Sequence, residues 1–306
     1  MKRLVSLVTM FAFLLVPVPA IAGSGHYLSG SEGIKVATLP GPGLYWKTYF
    51  FFYDVDHYRQ NGSSKDKNMK LSSFAIANRF IHMTELEFLG AQIGWNVVVP
   101  VAYNDFEHKS ASFLNDTSGG LGDILLEIPY LSWHGQQWDA LLGMSFYFPT
   151  GKYDAPRMDK MADPGKGYWT FMLGGGGTYY FDAAKTWTVS IMTRYEMHTK
   201  QKYTEQRIGD SFHFEWGAAK TIPVSTGMWD LGFAGYCEWQ TKRNTEGKAS
   251  EMALGRGKYE SYAAGPEIVY THAPWGMAFS LRSLWEFGVR NGSEGNLTVL
   301  SITKAF

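Results

Sequence analysis

Apolar and polar residues alternate along much of this chain with a period of two. In residues 187–197, WTVSIMTRYEM, Trp187 and Ile191 lie on one face, and Arg194 and Glu196 lie on the other. Successive side chains of a β-strand point to opposite sides of the sheet. The pattern therefore predicts a strand with one apolar and one wet face. Residues 229–240 and 277–290 show the same alternation, which places Phe287 and Val289 on the apolar face of the second segment.

The alternating segments are separated by links that are long and short in turn. A long outer loop following a short inner turn, with an even number of strands, is typical of outer-membrane barrels. We therefore predict an all-β fold, a transmembrane antiparallel up-and-down β-barrel of about twelve strands. The predicted strands are residues 43–58, 70–83, 90–105, 120–134, 137–149, 168–181, 187–198, 211–222, 228–241, 259–272, 275–290 and 296–306.

Aromatic residues mark the two ends of several of these strands. Trp187 and Tyr195 are one such pair, and Trp229 and Trp239 are another. At about 3.3 Å per residue and a tilt near 40°, these separations span roughly 20–25 Å along a membrane normal. An apolar band of about that height between aromatic girdles is expected for a membrane barrel.

Residues 23–42, before the first strand, have a different composition. Gly25, Gly30, Gly33 and Pro40 are among the residues that exclude a helix interior here, since glycine is entropically costly there and proline lacks the N–H donor. Eight strands make a filled barrel and sixteen leave an open channel, so twelve should leave a lumen. We expect residues 23–42 to fold inside this lumen as a plug or constriction. A mobile tail is the alternative.

The stretch from His26 to Tyr58 carries a recognisable pattern, HYxxGxxGI…LPxPGxYxxxYxxFY. It resembles the amino terminus of the outer-membrane channel family linked to the meta-cleavage pathway of phenol degradation. The resemblance implies a channel with a lumenal amino-terminal segment, and an aromatic or otherwise hydrophobic solute. The residues that match are Gly30, Gly33, Ile34, Leu39, Pro40, Pro42, Gly43, Tyr45, Tyr49 and Tyr53.

Charged residues fall on the wet faces of the strands. A base on the lipid face would cost about 2–4 kcal/mol at mid-membrane, so these residues should face the lumen. They could select a solute, or pair with one another and stiffen the barrel. Acids outnumber bases among them, which predicts a slight preference for cations. The candidate lumen and constriction residues are His26, Tyr27, Lys35, Pro40, Pro42, Lys47, Arg79, Glu127, Arg194, Glu196, Glu238, Arg282 and Glu286.

Prolines interrupt three predicted strands, and a glycine run interrupts another. Because proline cannot donate to the hydrogen-bond ladder, Pro100, Pro129 and Pro266 are candidate kinks or bulges, as are residues 174–177. A gap at a kink could release an apolar solute sideways into the bilayer, although ordinary bulges are the alternative.

The two ends of the chain suggest export to the outer membrane of a Gram-negative bacterium. Residues 1–22 have a basic tip, a short apolar core and an Ala-x-Ala site, as in a secretory signal peptide. The barrel, residues 43–306, ends on Phe306, which resembles the signal for the barrel-assembly machinery. We expect outer-membrane lipids and a small solute as partners, and a monomer.

Charge and cysteine content exclude other classes of protein. The chain has 28 basic residues, and removing Lys2 and Arg3 leaves 26 against 28 acidic ones, so nucleic acid is not an expected partner. A single cysteine, Cys237, excludes an intramolecular disulfide.

Two other functions remain as alternatives to a channel. His272 lies in a stretch that vaguely resembles the Ser/His site of an outer-membrane lipid enzyme, but Ala273 and Pro274 follow it where a serine would be needed. A structural barrel without transport is the other alternative. Asp154, Asp159 and Asp163 match no calcium-loop spacing, so we expect neither a metal nor another cofactor.

Overall fold

The computed structural model describes residues 25–60, 62, 64–154, 162–245 and 257–306. The predicted signal peptide, residues 1–22, and Asp159 lie outside these residues. The described residues form fourteen β-strands and short 3-10 helices at Ser112–Leu114 and Ala273–Trp275. The strands are β1 (Gly43–Gln60), β2 (Ser64–Asp66), β3 (Met69–Phe88), β4 (Ala91–His108), β5 (Asp116–Leu121), β6 (Ile124–His134), β7 (Trp138–Phe148), β8 (Thr170–Tyr180), β9 (Trp187–His198), β10 (Ser211–Val224), β11 (Gly227–Gln240), β12 (Glu260–His272), β13 (Met277–Arg290) and β14 (Gly292–Ala305).

Twelve of the described strands form a closed antiparallel barrel, which confirms the predicted fold class. Each barrel strand pairs with its neighbours in the chain, and β14 pairs with β1 from Tyr45–Ala305 to Arg59–Gly292, which closes the sheet. The short strands β2 and β5 extend β1 and β4 at one end of the barrel. No helix among the described residues is long and apolar enough to cross a membrane.

The two ends of the barrel differ. One, the short-turn end, holds the tight connections, such as the turn at Leu89 and Gly90, both of which have positive φ as a type I′ hairpin requires. The first residues of β1 and the last of β14 also lie there. At the other, the long-link end, the long links after β1, β7, β9 and β11 leave and rejoin the barrel, although Asn291 alone joins β13 to β14.

The burial pattern is that of a barrel with an apolar exterior. In β9, Trp187, Val189 and Ile191 are exposed, whereas Arg194 and Glu196 are buried. Exposed apolar residues and buried charges invert the pattern of a soluble protein, because here the wet face is the inner one.

One facing assignment from the sequence is wrong. The alternation places Val289 on the outer face with Phe287, yet Val289 is buried. Gly288 between them has a φ of 63°, and the β12–β13 register shifts beside it. The extra residue of this bulge turns Val289 inward.

The three prolines interrupt or shift the pairing of their strands, whereas the glycine run does not. Pro129 lies where the β6–β7 register shifts. Pro100 has no partner on β6, and Pro266 has none on β13, so the ladder is interrupted at both. Residues 174–177, in contrast, pair without a break on both sides of β8, because glycine retains its backbone N–H. The expectation of an interruption there was wrong.

Candidate functional site

The amino-terminal segment, residues 25–42, lies inside the barrel. Near the long-link end, His26 contacts Asp123 and Thr170. Towards the short-turn end, Lys35 Nζ lies 2.7 Å from Asp230 Oδ1, and Thr38 Oγ1 donates to Asp139 at 3.0 Å. The segment thus follows the lumen for much of its length.

The irregular backbone of the segment is held by carboxylates on the inner face of the wall. Its N–H groups have no strand to pair with, and a buried N–H without a partner is costly. Glu196 accepts the N–H groups of His26 and Tyr27, at 3.1 and 2.9 Å. Glu215 accepts the N–H of Gly30 at 2.8 Å, and Glu267 that of Ile34 at 2.7 Å. The acidic side chains therefore replace a strand partner.

The side chains of His26 and Tyr27 are packed into the wall. His26 Nε2 lies 2.8 Å from Asp123 Oδ2, and its ring stacks on Tyr147 at 4.8 Å between centroids. The hydroxyl of Tyr27 donates to Glu215 at 2.7 Å. The Arg194 guanidinium lies 4.2 Å from the centre of the Tyr27 ring and also pairs with Glu215. Two of the predicted constriction side chains are thus fixed in place.

Glu32, which sequence reasoning missed, joins the segment to the bases of the opposite wall. Its carboxylate accepts from Lys47 at 2.9 Å, from Arg79 at 2.7 Å and from the Tyr49 hydroxyl at 2.7 Å. Arg79 continues the network to Glu127, at 3.3 Å. Two predicted lumen residues, Lys47 and Arg79, are therefore brought together by one unpredicted acid, and a third, Glu127, pairs with Arg79.

Arg282 holds the turn of the segment from the other side. Its guanidinium donates to the carbonyl of Gly30 at 2.9 Å and to that of Ser31. It also pairs with Glu267, at 3.1 Å. Arg282 therefore satisfies two carbonyl groups of the segment. It also neutralises Glu267, the acid that accepts the N–H of Ile34.

Two glycines let the segment approach the wall this closely. Gly30 has a φ of 84°, a conformation that favours glycine, and a Cβ there would press on Leu284 and Tyr236. A Cβ on Gly33 would overlap the Glu267 carboxylate.

The remaining predicted residues differ in whether they contact the segment. Pro40 is half-buried and Pro42 is exposed immediately before β1, so Pro42 lies at the rim of the barrel and does not narrow the lumen. Glu238 accepts from the Ser29 hydroxyl at 2.9 Å. Glu286 contacts no residue of the segment among the contacts that the structure shows, and accepts instead from the Tyr53 hydroxyl at 2.8 Å.

A cavity of about 440 Å³ lies above the segment at the long-link end. We refer to it as the vestibule. Its floor includes Tyr27 and Glu32, and one side of its wall is apolar. This volume lies within the range of pockets that bind small organic molecules. The apolar side is formed by Phe51, Ala75, Ala77, Val98, Leu125 and Leu297.

The described parts of the link between β7 and β8, residues 149–154 and 162–169, cover the mouth of the vestibule. Asp123 accepts the N–H groups of Gly151 and Lys166, both at 2.8 Å, which anchors the link. The Lys166 ammonium donates to the Gly25 carbonyl. Burial lowers the pKa of Lys166 below its usual value, and burial raises the pKa of the Tyr153 hydroxyl nearby. Both side chains are half-buried at the mouth.

The residues considered for other chemistry have structural partners. Nδ1 of His272 accepts the N–H of Trp275 at 3.2 Å and so caps a 3-10 helix. Asp163 accepts from Ser118 at 2.8 Å and from the N–H of Asp154 at 2.7 Å. No cluster that could hold a metal ion occurs among the described residues.

The fold and the lumen together define a class of protein. A closed twelve-stranded barrel with an apolar exterior, a polar interior and a lumenal amino-terminal segment is a barrel of the outer-membrane channel type. Residues 56–302 match the protein family described as "Putative MetA-pathway of phenol degradation". The chain belongs to this family, which confirms the resemblance noted from the sequence.

Solved structures share the fold at low sequence identity. The COG4313 outer membrane channel from Pseudomonas putida F1 aligns with a TM-score of 0.74 and 16% identity, over 88% of this chain and 97% of that one. The translocator domain of the autotransporter NalP from Neisseria meningitidis aligns with a TM-score of 0.50 and 10% identity, over 89% and 91%. No curated protein sequence matches the chain.

Proposed function

We propose that this protein is an outer-membrane channel for the passive uptake of small, partly apolar molecules, with aromatic solutes the best fit. The observation that carries the proposal is the vestibule, whose wall is apolar on one side and whose floor is the polar amino-terminal segment. Such a surface suits a molecule with an apolar body and one polar group. The family's link to phenol degradation supports the same solute class.

The amino-terminal segment is the constriction in this proposal. His26, Tyr27 and Glu32 touch both the vestibule and the wall, so a solute in the vestibule meets the segment at these residues. Apart from its continuation into β1 at Gly43, the segment is held in the lumen by hydrogen bonds and ion pairs. Its displacement would open the axis of the barrel towards the short-turn end, which we place on the periplasmic side.

The test compares the mature protein with a variant that lacks residues 24–40. In planar bilayers we expect small conductance steps from the intact protein and larger steps from the variant. Phenol-induced swelling of proteoliposomes measures solute uptake. Equal conductance of the two proteins would exclude the segment as the constriction, and no uptake by either would overturn the channel.

The deletion also removes partners from several wall carboxylates, so its folding must be checked. Retention of the heat-modifiable mobility typical of barrels on gels would show that the variant is folded. Gly33→Ala, which removes no charge from the lumen, gives an independent test.

A further inference from the structure

One carboxylate in the wall of the vestibule has an oxygen without a partner. Glu238 lies on β11, lines the vestibule and is 3% exposed. Its Oε2 accepts from the Ser29 hydroxyl at 2.9 Å, whereas its Oε1 is buried and has no hydrogen-bond partner among the described residues. A buried acceptor that stays unpaired is costly. This atom therefore marks a place for a hydrogen-bond donor.

The other acids that line the vestibule are fully satisfied. In the described part of the chain, each of their carboxylate oxygens accepts at least one hydrogen bond. The unpartnered oxygen is therefore a property of Glu238 and not of the cavity as a whole. The satisfied acids are Glu32, Asp123, Glu127, Asp163 and Glu286.

The hydrogen bonds around His213 leave an excess of one negative charge beside this oxygen. The Ser29 hydroxyl donates its single proton to Glu238, so Nδ1 of His213, 2.8 Å from the same hydroxyl, must itself carry a proton. Nε2 of His213 lies 3.0 Å from Oε2 of Glu196, and an ionised carboxylate oxygen can only accept, so Nε2 is protonated as well. His213 is thus an imidazolium, with one positive charge between two carboxylates.

The neighbouring bases do not neutralise this charge by direct pairing. Arg194 pairs with Glu215, and the ammonium of Lys166 donates to the Gly25 carbonyl. The ion pair that the described residues show for Glu238 is with His213, at 3.6 Å from Nδ1. The site therefore offers both a free acceptor atom and an excess of negative charge.

Aromatic rings line the same part of the vestibule. Tyr236 precedes Glu238 by two residues and so lies on the same face of β11. Tyr259 comes immediately before β12, where its backbone pairs with Gln240. Both tyrosines line the vestibule, and no lysine or arginine among the described residues stacks on either ring. Tyrosine rings beside a carboxylate form a surface that attracts an organic cation.

We propose that the vestibule binds organic ammonium ions, in particular primary amines on a small aromatic body, and that Glu238 selects them. This inference rests on the proposed function, since it defines a class of solute for the same vestibule. The ammonium donates to Oε1 of Glu238, and the rings of Tyr236 and Tyr259 contact the charge and the aromatic body. The terminal torsion of a glutamate is soft, so Oε1 can turn towards a donor in the cavity.

A neutral hydroxyl is the competing kind of ligand. It would also donate to Oε1 of Glu238, but it would leave the excess negative charge in place. An ammonium supplies the donor and the opposite charge together, and charge-assisted hydrogen bonds are about twice as strong as neutral ones. The carboxylate has already lost its water on folding, so binding adds only the dehydration of the ammonium. The site should therefore prefer an amine to an alcohol of the same size.

Two ligands with the same carbon skeleton test this preference. Phenethylamine is an ammonium ion at neutral pH, and 2-phenylethanol carries a neutral hydroxyl in the same place. Binding of each to the refolded mature protein in detergent is measured by titration calorimetry, with empty micelles as the blank. We expect phenethylamine to bind about tenfold more tightly, because a hydrogen bond between charged groups is stronger than one to a neutral donor.

Two variants show whether the preference comes from Glu238. Glu238→Gln replaces the carboxylate by an amide of the same shape, keeps an acceptor for Ser29 and should abolish the preference. Glu286→Gln is the matched control, since it removes one charge from the same cavity at a carboxylate whose oxygens Tyr53 and Tyr236 already occupy. It should retain most of the preference. Heat-modifiable mobility on gels shows whether each variant is folded, and the comparison of the two ligands on the wild-type protein depends on neither.

If the wild-type protein binds phenethylamine no more tightly than 2-phenylethanol, the amine site is overturned while the channel stands. A preference that survives in Glu238→Gln overturns it as well. Equal losses in the two variants would assign the preference to the net charge of the cavity and overturn the role of Glu238. If the protein binds neither ligand and proteoliposomes take up no aromatic solute, the proposed function fails, and the amine site with it.

Discussion

The Oε1 atom of Glu196 accepts the backbone N–H of Tyr27 at 2.9 Å. The same oxygen accepts the N–H of His26 at 3.1 Å, and Oε2 lies 3.0 Å from Nε2 of His213. All of these groups are buried or part-buried. One acid in the wall therefore fixes two successive residues of the amino-terminal segment, and the position of the segment depends on it.

Glu196→Ala should release the part of the segment nearest the long-link end, which contains His26 and Tyr27. A buried donor left without its partner costs about 1–3 kcal/mol, and a change of about 2 kcal/mol shifts the ratio of released to docked segment about thirtyfold. We expect large conductance steps to become much more frequent in planar bilayers. The matched control is Glu196→Gln, which retains an acceptor oxygen and should have a smaller effect. An unchanged step frequency in Glu196→Ala would contradict this role.

Gly33→Ala should displace the segment without removing any charge. The added Cβ would overlap the carboxylate of Glu267, which Ile34, Ser280 and Arg282 hold in place. Overpacking of this kind costs about 1–3 kcal/mol. We expect the docked segment to loosen and single-channel conductance to rise.

Gly41→Ala is the control for this substitution within the same segment. A Cβ at Gly41 meets no atom within 4 Å, so conductance should match that of the wild-type protein. A rise in both variants would point to backbone flexibility instead of close packing at Gly33.

The barrel could be predicted from the sequence because strand alternation is local. Side chains at odd and even positions of a strand point to opposite faces, and lipid favours apolar side chains on one face whereas water favours polar ones on the other. This alone predicts that Glu196 faces the lumen and that Trp187 faces outward, as the structure shows. The error at Val289 arose because a bulge shifts the parity, and Gly288 was the signal that could have shown it.

The contacts of the lumen could not be predicted in the same way. Glu32 is the one acid in residues 25–42, and its partners Lys47 and Arg79 come from two different strands. A lone acid in a glycine-rich stretch, expected inside a lumen that carries bases such as Lys47 and Arg79, was the available signal. Which bases Glu32 contacts depends on the path of an irregular segment. The alternation of residues that predicts strands does not determine that path.

Glu32→Gln should make the channel less selective for cations. The substitution removes one negative charge at the floor of the vestibule and leaves Lys47 and Arg79 with less compensation. The reversal potential in a potassium chloride gradient should shift towards the chloride potential. The shift should shrink as salt is raised, because ions that enter the vestibule screen the charge at its floor.

The control for Glu32→Gln is Glu87→Gln, an equal change of charge at an exposed position near the short-turn end. A shift of the same size in both variants would mean that net charge, rather than the charge at the vestibule floor, sets the selectivity.

Ala75→Phe should slow the uptake of aromatic solutes by filling the apolar side of the vestibule. Ala75 lines this cavity and pairs with Phe51 on the neighbouring strand, so a second aromatic ring there would occupy the space open to a solute. Phenol-induced swelling of proteoliposomes should fall several-fold. The control is Ala140→Phe, which adds the same ring on the outer face of β7, beside Trp138 and Leu142. Such a ring contacts lipid and should leave uptake unchanged. If Ala75→Phe also leaves it unchanged, the vestibule is not on the route of the solute.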